Sequence, residues 1–350
     1  MCGISGFIDF NKNSTQDILV QMSDVLVHRG PDGSGAEFYE TSTSQVGLAH
    51  RRLSIIDLSE RGKQPMMYKD LTITYNGEIY NFDEIKTRLQ KLGHTFVSDS
   101  DTEMILHAYS EWGADCLQHF IGMFAIAIYD NAKQEVFIAR DRAGIKPLYY
   151  YLHDKLFLFA SELKAFHKHP GFKKVLNTNA VAAFMQFGNV PVPHCIFQHC
   201  LKLKPGHFLK INTSTMKTET TCYWSVYSNA YNRKKIDISF EEAKTKTEEL
   251  LESSFNYRMV ADVPVGVFLS GGYDSVCVTS LLQKNRSEKI KTFTISVPDI
   301  GLNEAAYASD IARHLGTEHH ELHCSEAEVL EIINHLPFYY DEPFADSSAI

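Results

Sequence analysis

A cysteine stands at position 2, between the initiator methionine and Gly3. Removal of Met1 would leave one residue carrying both a thiol and a free α-amine. An α-amine with its ordinary pKa of about 7.7–8.0 can take the thiol proton and later return it to a leaving amine. Nucleophile and base then come from the same residue. The plain alternative is a small buried cysteine that opens a strand. A second stretch, Ser270-Gly271-Gly272-Tyr273-Asp274-Ser275, lies between an apolar run and a helix-like segment. Its glycines would let the backbone approach a phosphate, and a helix start there would offer unpaired N–H groups. Ser270 and Ser275 can donate to phosphate oxygens, and Asp274 can help hold a Mg²⁺ bound to them. A glycine turn with no ligand is the plain alternative here.

Elements must carry these residues. In the first half, β-branched and aromatic runs between turn residues predict strands at Gly3–Phe10, Val46–Ile56, Leu71–Tyr75, Phe124–Asp130, Val136–Arg140 and Phe157–Ser161. Helices are predicted at Gln16–Val27, Phe82–Leu92 and Thr102–Trp112, the last with Met104, Ile105, Ala108 and Trp112 on one face. Strands and helices that do not strictly alternate indicate a layered α+β domain. Residues 191–240 are punctuated by Pro191, Pro193, Pro205 and Gly206 and then turn polar, which reads as the last strands of that domain and an exposed connection. From Phe240 the pattern is regular. Helix Phe240–Met259, strand Pro264–Leu269, helix Ser275–Gln283, strand Lys291–Val297, helix Glu304–Leu315, strand Glu318–His323 and helix Ser325–His335 predict a doubly wound parallel sheet. The expected domains are 1–225 and 226–350.

Two domains also suit 350 residues. A net charge of −9 argues against nucleic acid or an anionic membrane held by bulk electrostatics, and leaves room for a local phosphate pocket. No apolar run approaches the roughly 20 residues of a membrane span, and the N-terminus lacks the features of a secretory signal. Seven cysteines with no CxxC pair suit a reducing cytoplasm. The run Glu318–Cys324 splits its histidines between two strand faces and has no fourth ligand at structural zinc spacing.

Several stretches, in order, resemble class II glutamine amidotransferases, the amino-terminal-nucleophile hydrolases found in asparagine synthetases. They are Cys2–Gly6, His28–Gly33, His50–Asp57, Tyr75–Asn81, Ser98–Glu103 and Ala139–Leu148. The resemblance implies a four-layer αββα domain in which Cys2 attacks glutamine. It implies that Arg52 grips the α-carboxylate, as a planar fork would. Asp101 would meet the α-ammonium with Glu78 near the same end. Asn76 and the Gly77 N–H would form the oxyanion hole, and Leu53, Ser54, Ile55 and Ile56 would complete the glutamine site. Surface ion pairs for Arg52 and Asp101, and a hairpin turn at Asn76-Gly77, are the readings of these residues taken singly.

The loop at Ser270–Ser275 resembles the pyrophosphate loop of ATP pyrophosphatases, as in the C-terminal domains of asparagine synthetases. Tyr273 stands where that family usually has an aliphatic residue. The resemblance implies ATP binding by Leu269, Ser270, Gly271, Gly272, Asp274, Ser275 and Ile295, with Leu269 and Ile295 at the adenine and Mg²⁺ arriving with ATP. Asp341–Ser348 matches a further family segment near the nucleotide, and the chain stops directly after it, so an incomplete synthetase domain is expected. The implied substrates are glutamine, ATP and a carboxylate acceptor, most simply aspartate; a homodimer is compatible with this. Alternatives are another acceptor such as a sugar acid of a surface polysaccharide, a phosphoribosyl-pyrophosphate amidotransferase, which the Ser270–Ser275 loop disfavours, and a glutaminase-only or regulatory fragment.

Overall fold

The computed structural model describes residues 1–231, 235–296 and 304–346. The chain divides into two compact units, Met1–Arg233 with Tyr340–Asp346, and Lys234–Tyr339. In the first unit the strands are β1 (Gly3–Asp9), β2 (Gly33–Glu40), β3 (Gln45–Arg52), β4 (Met66–Tyr68), β5 (Leu71–Ile79), β6 (Gly122–Asp130), β7 (Glu135–Arg140), β8 (Tyr149–His153), β9 (Leu156–Ala160), β10 (Cys200–Lys202), β11 (His207–Asn212) and β12 (Thr218–Cys222). The helices are α1 (Gln16–Asp24), α2 (Phe82–Lys91), α3 (Asp101–Trp112) and α4 (Thr178–Phe187).

The strands form two six-stranded antiparallel sheets, ordered β10-β8-β9-β1-β3-β2 and β12-β11-β7-β6-β5-β4. Ile4 and Ile8 of β1 with Val46 and Leu48 of β3 pack between the sheets against Ala125, Ala127, Val136 and Ile138. On the outer face of the first sheet Phe7 and Ala49 meet Leu19 and Met22 of α1. On the outer face of the second, Ile126 and Ile128 meet Ile85 and Leu89 of α2 and Met104 and Ile105 of α3. Central strands are therefore apolar on both faces, which explains their near-continuous apolar sequence. The result is the helix–sheet–sheet–helix sandwich that the resemblance implied.

Two predicted elements end differently, and both differences shape the site. The strand expected to run to Ile56 stops at Arg52. There the chain leaves the sheet, and the Leu53 N–H turns to the Cys2 sulfur. The strand expected to stop at Tyr75 continues to Ile79, so Asn76 and Gly77 lie inside β5 and not in a hairpin turn.

The second unit contains α5 (Phe240–Tyr257), β13 (Gly266–Phe268), α6 (Tyr273–Lys284), β14 (Lys291–Ser296), α7 (Ala305–Leu315), β15 (Glu318–His323) and α8 (Glu326–Ile333). Its strands are parallel in the order β13-β14-β15, as alternating strands and helices predict. Ser239 and Glu242 form a capping box that starts α5. Leu269 packs with Ala308 and Ala312 of α7, while Phe268, Ile295 and Leu322 are exposed. Val297, Ser347 and Ser348 lie outside the described residues. Among the described residues no helix is long and apolar enough to cross a membrane.

Candidate active site

One cleft of the first unit is lined by Cys2, Arg52, Leu53, Ile55, Ile56, Gly62, Gln64, Tyr75, Gly77, Glu78 and Asp101, among others. Cys2 stands just before β1, whose pairing with β3 sets Gly3 opposite Arg51. Its Sγ accepts from the Leu53 N–H at 3.4 Å and donates to the Leu53 carbonyl at 3.6 Å. Arg29 donates Nε–H to the Cys2 carbonyl at 2.9 Å and pairs with Glu162 at 2.8 Å. Asp32 receives the Ser54 N–H at 2.8 Å and gives its own N–H to the Arg52 carbonyl at 2.9 Å, which fixes the turn out of β3. Burial raises the Cys2 thiol pKa, against lowering by the Leu53 N–H and the terminal amine. Burial also lowers the pKa of that amine, which here belongs to Met1.

Arg52 donates to the carbonyls of Asp57 and Ser59, the latter at 2.8 Å. Those two bonds lock the guanidinium plane, and a planar cation so locked can present its remaining edge to a carboxylate. Gly62 makes room for it, because a β-carbon at that position would collide with Arg52 Nη2.

At the other end, Ser100 caps α3 by accepting the Thr102 N–H at 3.2 Å. Asp101 then opens the helix. Its Oδ2 accepts from Tyr75 Oη at 2.8 Å and from the Ile79 N–H at 3.1 Å. Burial raises its pKa despite those donors. Glu78 is raised as well, first by burial and then by Asp101. A cation beside the buried Asp101 and the half-buried Glu78 would favour the charged form of both.

Strand β5 carries the remaining donors. The Tyr80 N–H goes to Ile121 O on the β6 side at 2.8 Å. The Tyr75 and Ile79 N–H groups leave by the opposite edge, to Gln64 Oε1 at 2.7 Å and to Asp101. Strand alternation turns the Gly77 N–H to that same open edge, in the cleft that Gly77 lines. Only glycine fits there, since a β-carbon would strike the Met123 carbonyl. Asn76 is buried, and its Nδ2 has no hydrogen-bond partner among the described residues. A buried unpaired donor is unusual enough to require an explanation. His50 holds this part of the strand through Nε2 to the Tyr75 carbonyl at 3.0 Å, and burial pushes its pKa down to about 3, so the ring is neutral.

Ser54 and Asn76 are absent from the lining, while Arg52, Leu53, Ile55, Ile56, Gly77, Glu78 and Asp101 share it with Cys2. Arg29, Asp32, His50 and Gln64 were assigned no role from sequence. Arg29, Asp32 and His50 lie within the quoted motif stretches, which was the available signal.

In the second unit the Ser270 and Ser275 hydroxyls bond to each other at 2.9 Å, and Ser275 Oγ accepts the Ser270 N–H at 3.1 Å. Gly272 caps α6 without a side-chain partner, and the Gly271 N–H meets Glu304 at 3.3 Å. Asp274 stands in the first helical turn, and Tyr273 is 96% exposed. The donor set, hydroxyls and a carboxylate at a helix start, suits a phosphate with a hard cation. Among the described residues no group of three His, Cys, Asp or Glu side chains is placed to hold a metal ion. The side chains of Leu269 and Ile295 are not brought together: Leu269 is buried against α7 and Ile295 is exposed. Asp341 and Glu342 belong to the first unit. There Asp341 pairs with Lys164 at 3.5 Å and Glu342 with Lys202 at 2.6 Å.

A cysteine, an arginine, two acidic residues and the Gly77 backbone now stand in one cleft, followed in sequence by a serine–glycine loop at a helix start. Residues 1–224 match the family model for a glutamine amidotransferase domain, and residues 246–350 match the model for asparagine synthase. The chain belongs to the glutamine-hydrolysing asparagine synthetase family. A putative asparagine synthetase of Methanocaldococcus jannaschii is 36% identical over 99% of this chain and 70% of its own length. Asparagine synthetase 2 of Bacillus subtilis is 35% identical over 98% of this chain and 47% of its own length, so the chain spans about half of that relative. A Gibberella zeae protein named amidase chry2 is 31% identical over 99% of this chain and 54% of its own length. A solved structure described as the allosteric regulatory enzyme of purine biosynthesis shares the fold, with a TM-score of 0.50 at 15% identity over 92% of this chain and 80% of that one.

Proposed function

We propose that this protein hydrolyses glutamine at Cys2 and uses the ammonia to amidate an adenylated carboxylate, with aspartate as the acceptor and asparagine, AMP and pyrophosphate as products. The α-amine of Cys2, freed by removal of Met1, takes the thiol proton. The thiolate attacks the amide carbon, and the new C–S bond places negative charge on the former carbonyl oxygen. Asn76 Nδ2 and the Gly77 N–H receive that charge. Ammonia departs with the proton held by the amine, and water then splits the thioester to release glutamate. Arg52 holds the substrate carboxylate, and Asp101 with Glu78 holds its ammonium. In the second unit the Ser270–Ser275 loop and the start of α6 bind the ATP phosphates. Asp274 would hold the accompanying Mg²⁺, which supplies charge neutralisation to the phosphates.

The observation that carries the glutaminase reading is the Gly77 N–H turned into the cleft that Cys2 lines, with the buried Nδ2 of the adjacent Asn76 unpartnered among the described residues. Glutamate release from glutamine tests it, and a purified protein lacking Met1 that releases none at saturating glutamine rejects it. The acceptor is tested separately with MgATP, glutamine and either aspartate or a sugar acid. Asparagine formed together with pyrophosphate is expected; an amide of the sugar acid and none of aspartate would replace the aspartate reading.

Arg52→Lys tests the substrate grip. Losing a bidentate charge-assisted contact costs about 2 kcal/mol, or roughly 30-fold in the KM for glutamine, although the charge is kept. Unchanged glutamine kinetics would leave Arg52 as a brace for the Asp57 and Ser59 carbonyls alone.

A further inference from the structure

Lys146 is a buried lysine that the reaction scheme does not use. Its backbone is clamped. Asp141 Oδ2 accepts the Lys146 N–H at 3.0 Å, and Arg140 Nε donates to the Lys146 carbonyl at 2.8 Å. The same Asp141 oxygen accepts the Phe124 N–H at 3.2 Å, and Phe124 lies directly opposite Gly77 in the β5–β6 ladder. One carboxylate oxygen thus ties Lys146 to the strand position beside the proposed oxyanion hole. Yet the Lys146 ammonium makes no hydrogen bond or ion pair among the described residues. Burial lowers its pKa, while Glu78, Cys2 and Asp141 raise it.

Charge balance shows why a cation is needed there. Lining the cleft are Glu78 and Tyr75 from β5, Asp101 from α3 and Cys2, whose own amine would be freed by removal of Met1. Glutamine brings one ammonium and one carboxylate, and Arg52 meets the carboxylate. With the thiolate formed, Glu78, Asp101 and sulfur would carry three negative charges against two positive ones, the substrate ammonium and the Cys2 α-ammonium that holds the thiol proton. Arg29 is nearby, but its charge is paired with Glu162; its Nε donates to the Cys2 carbonyl and its buried Nη2 has no partner among the described residues. We propose that Lys146 is a positioning residue of the glutaminase, whose ammonium supplies the counter-charge that lets the Glu78 carboxylate and the Cys2 thiolate coexist in the buried cleft. The proposal rests on the glutaminase reading above.

The sign of the effect is fixed: removing a neighbouring cation raises the pKa of both a thiol and a carboxylate. The test compares Lys146→Met and Lys146→Arg with the unsubstituted protein. It follows iodoacetamide alkylation of Cys2 by peptide mass and, separately, glutamate release from pH 5.5 to about 9.5. Lys146→Met is expected to move the alkylation midpoint up by about one pH unit, which makes alkylation roughly tenfold slower below the midpoint. Glutamate release should lose kcat, with its acidic limb shifted the same way, and Lys146→Arg should restore both profiles. Should Lys146→Met fail to fold, Lys146→Gln is judged on the same alkylation midpoint. An unshifted midpoint in a folded variant overturns the role of Lys146. Absence of glutamate release by the unsubstituted protein instead overturns the glutaminase reading.

Discussion

Cys2→Ala is expected to abolish glutamate release, a loss of roughly 10⁴–10⁶-fold in kcat if covalent attack is the route. The fold should survive, because among the described residues the sulfur hydrogen-bonds only to the Leu53 N–H and carbonyl, both at long distances. Its melting temperature should therefore stay within a few degrees of the unsubstituted protein. Processing provides the complementary arm. With Met1 attached, the nitrogen of Cys2 is an amide and cannot accept the thiol proton, and the chain's amine lies one residue away. Intact mass should show Met1 removed from the active fraction, and protein retaining Met1 should match Cys2→Ala. Full activity with Met1 in place, or appreciable turnover by Cys2→Ala, would end the amino-terminal mechanism. The two outcomes differ in meaning: the first would remove only the base, whereas the second would remove the nucleophile.

The sequence was most legible where a segment is buried on both faces. Strands β1, β6, β7 and β9 are nearly continuous apolar runs and fall within a residue or two of expectation, because two sheets and two helical layers leave them no wet face. Elements at the rim were harder to read. Strand β2 contains Gly33, Gly35 and two glutamates, and it lies at a sheet edge, where little burial imposes a pattern. Strand β12, Thr218–Cys222, is polar for the same reason. Helix α4 was not anticipated; it buries only Ala180 and ends at Gly188 in the left-handed region with φ of 71°. The candidate cleft was legible through Cys2, Arg52 and Asp101, which carry their chemistry in the side chain and which the structure brings together. Gly77, by contrast, would act through a backbone N–H whose direction depends on strand alternation, and the Lys146 backbone is tied to the strand opposite Gly77 only through the Asp141 bridge. Neither direction nor bridge has a local sequence pattern. In the second unit, binary pattern gave the parallel sheet, but it did not reveal that Leu269 is buried while Ile295 is exposed.

Asn76→Ala is expected to lower kcat for glutamine hydrolysis by about 10²–10³-fold, the cost of one oxyanion donor at roughly 2.7–4 kcal/mol. The KM for glutamine should change little, since Arg52, Asp101 and Glu78 bind groups that the reaction leaves untouched. The donor's present condition sharpens the expectation. Asn76 Nδ2 is buried without a partner, so the folded protein already bears the desolvation of that N–H, and deleting it removes no existing bond of that atom. A purely structural asparagine would behave in the opposite way, losing stability and leaving turnover per folded molecule intact. Residual activity should persist because the Gly77 N–H remains and no side-chain change can delete it. Melting temperature and kcat measured on the same preparation separate the two cases. A large fall in melting temperature with kcat unchanged would make Asn76 a packing residue of β5, and the oxyanion would then need donors other than those at this open edge.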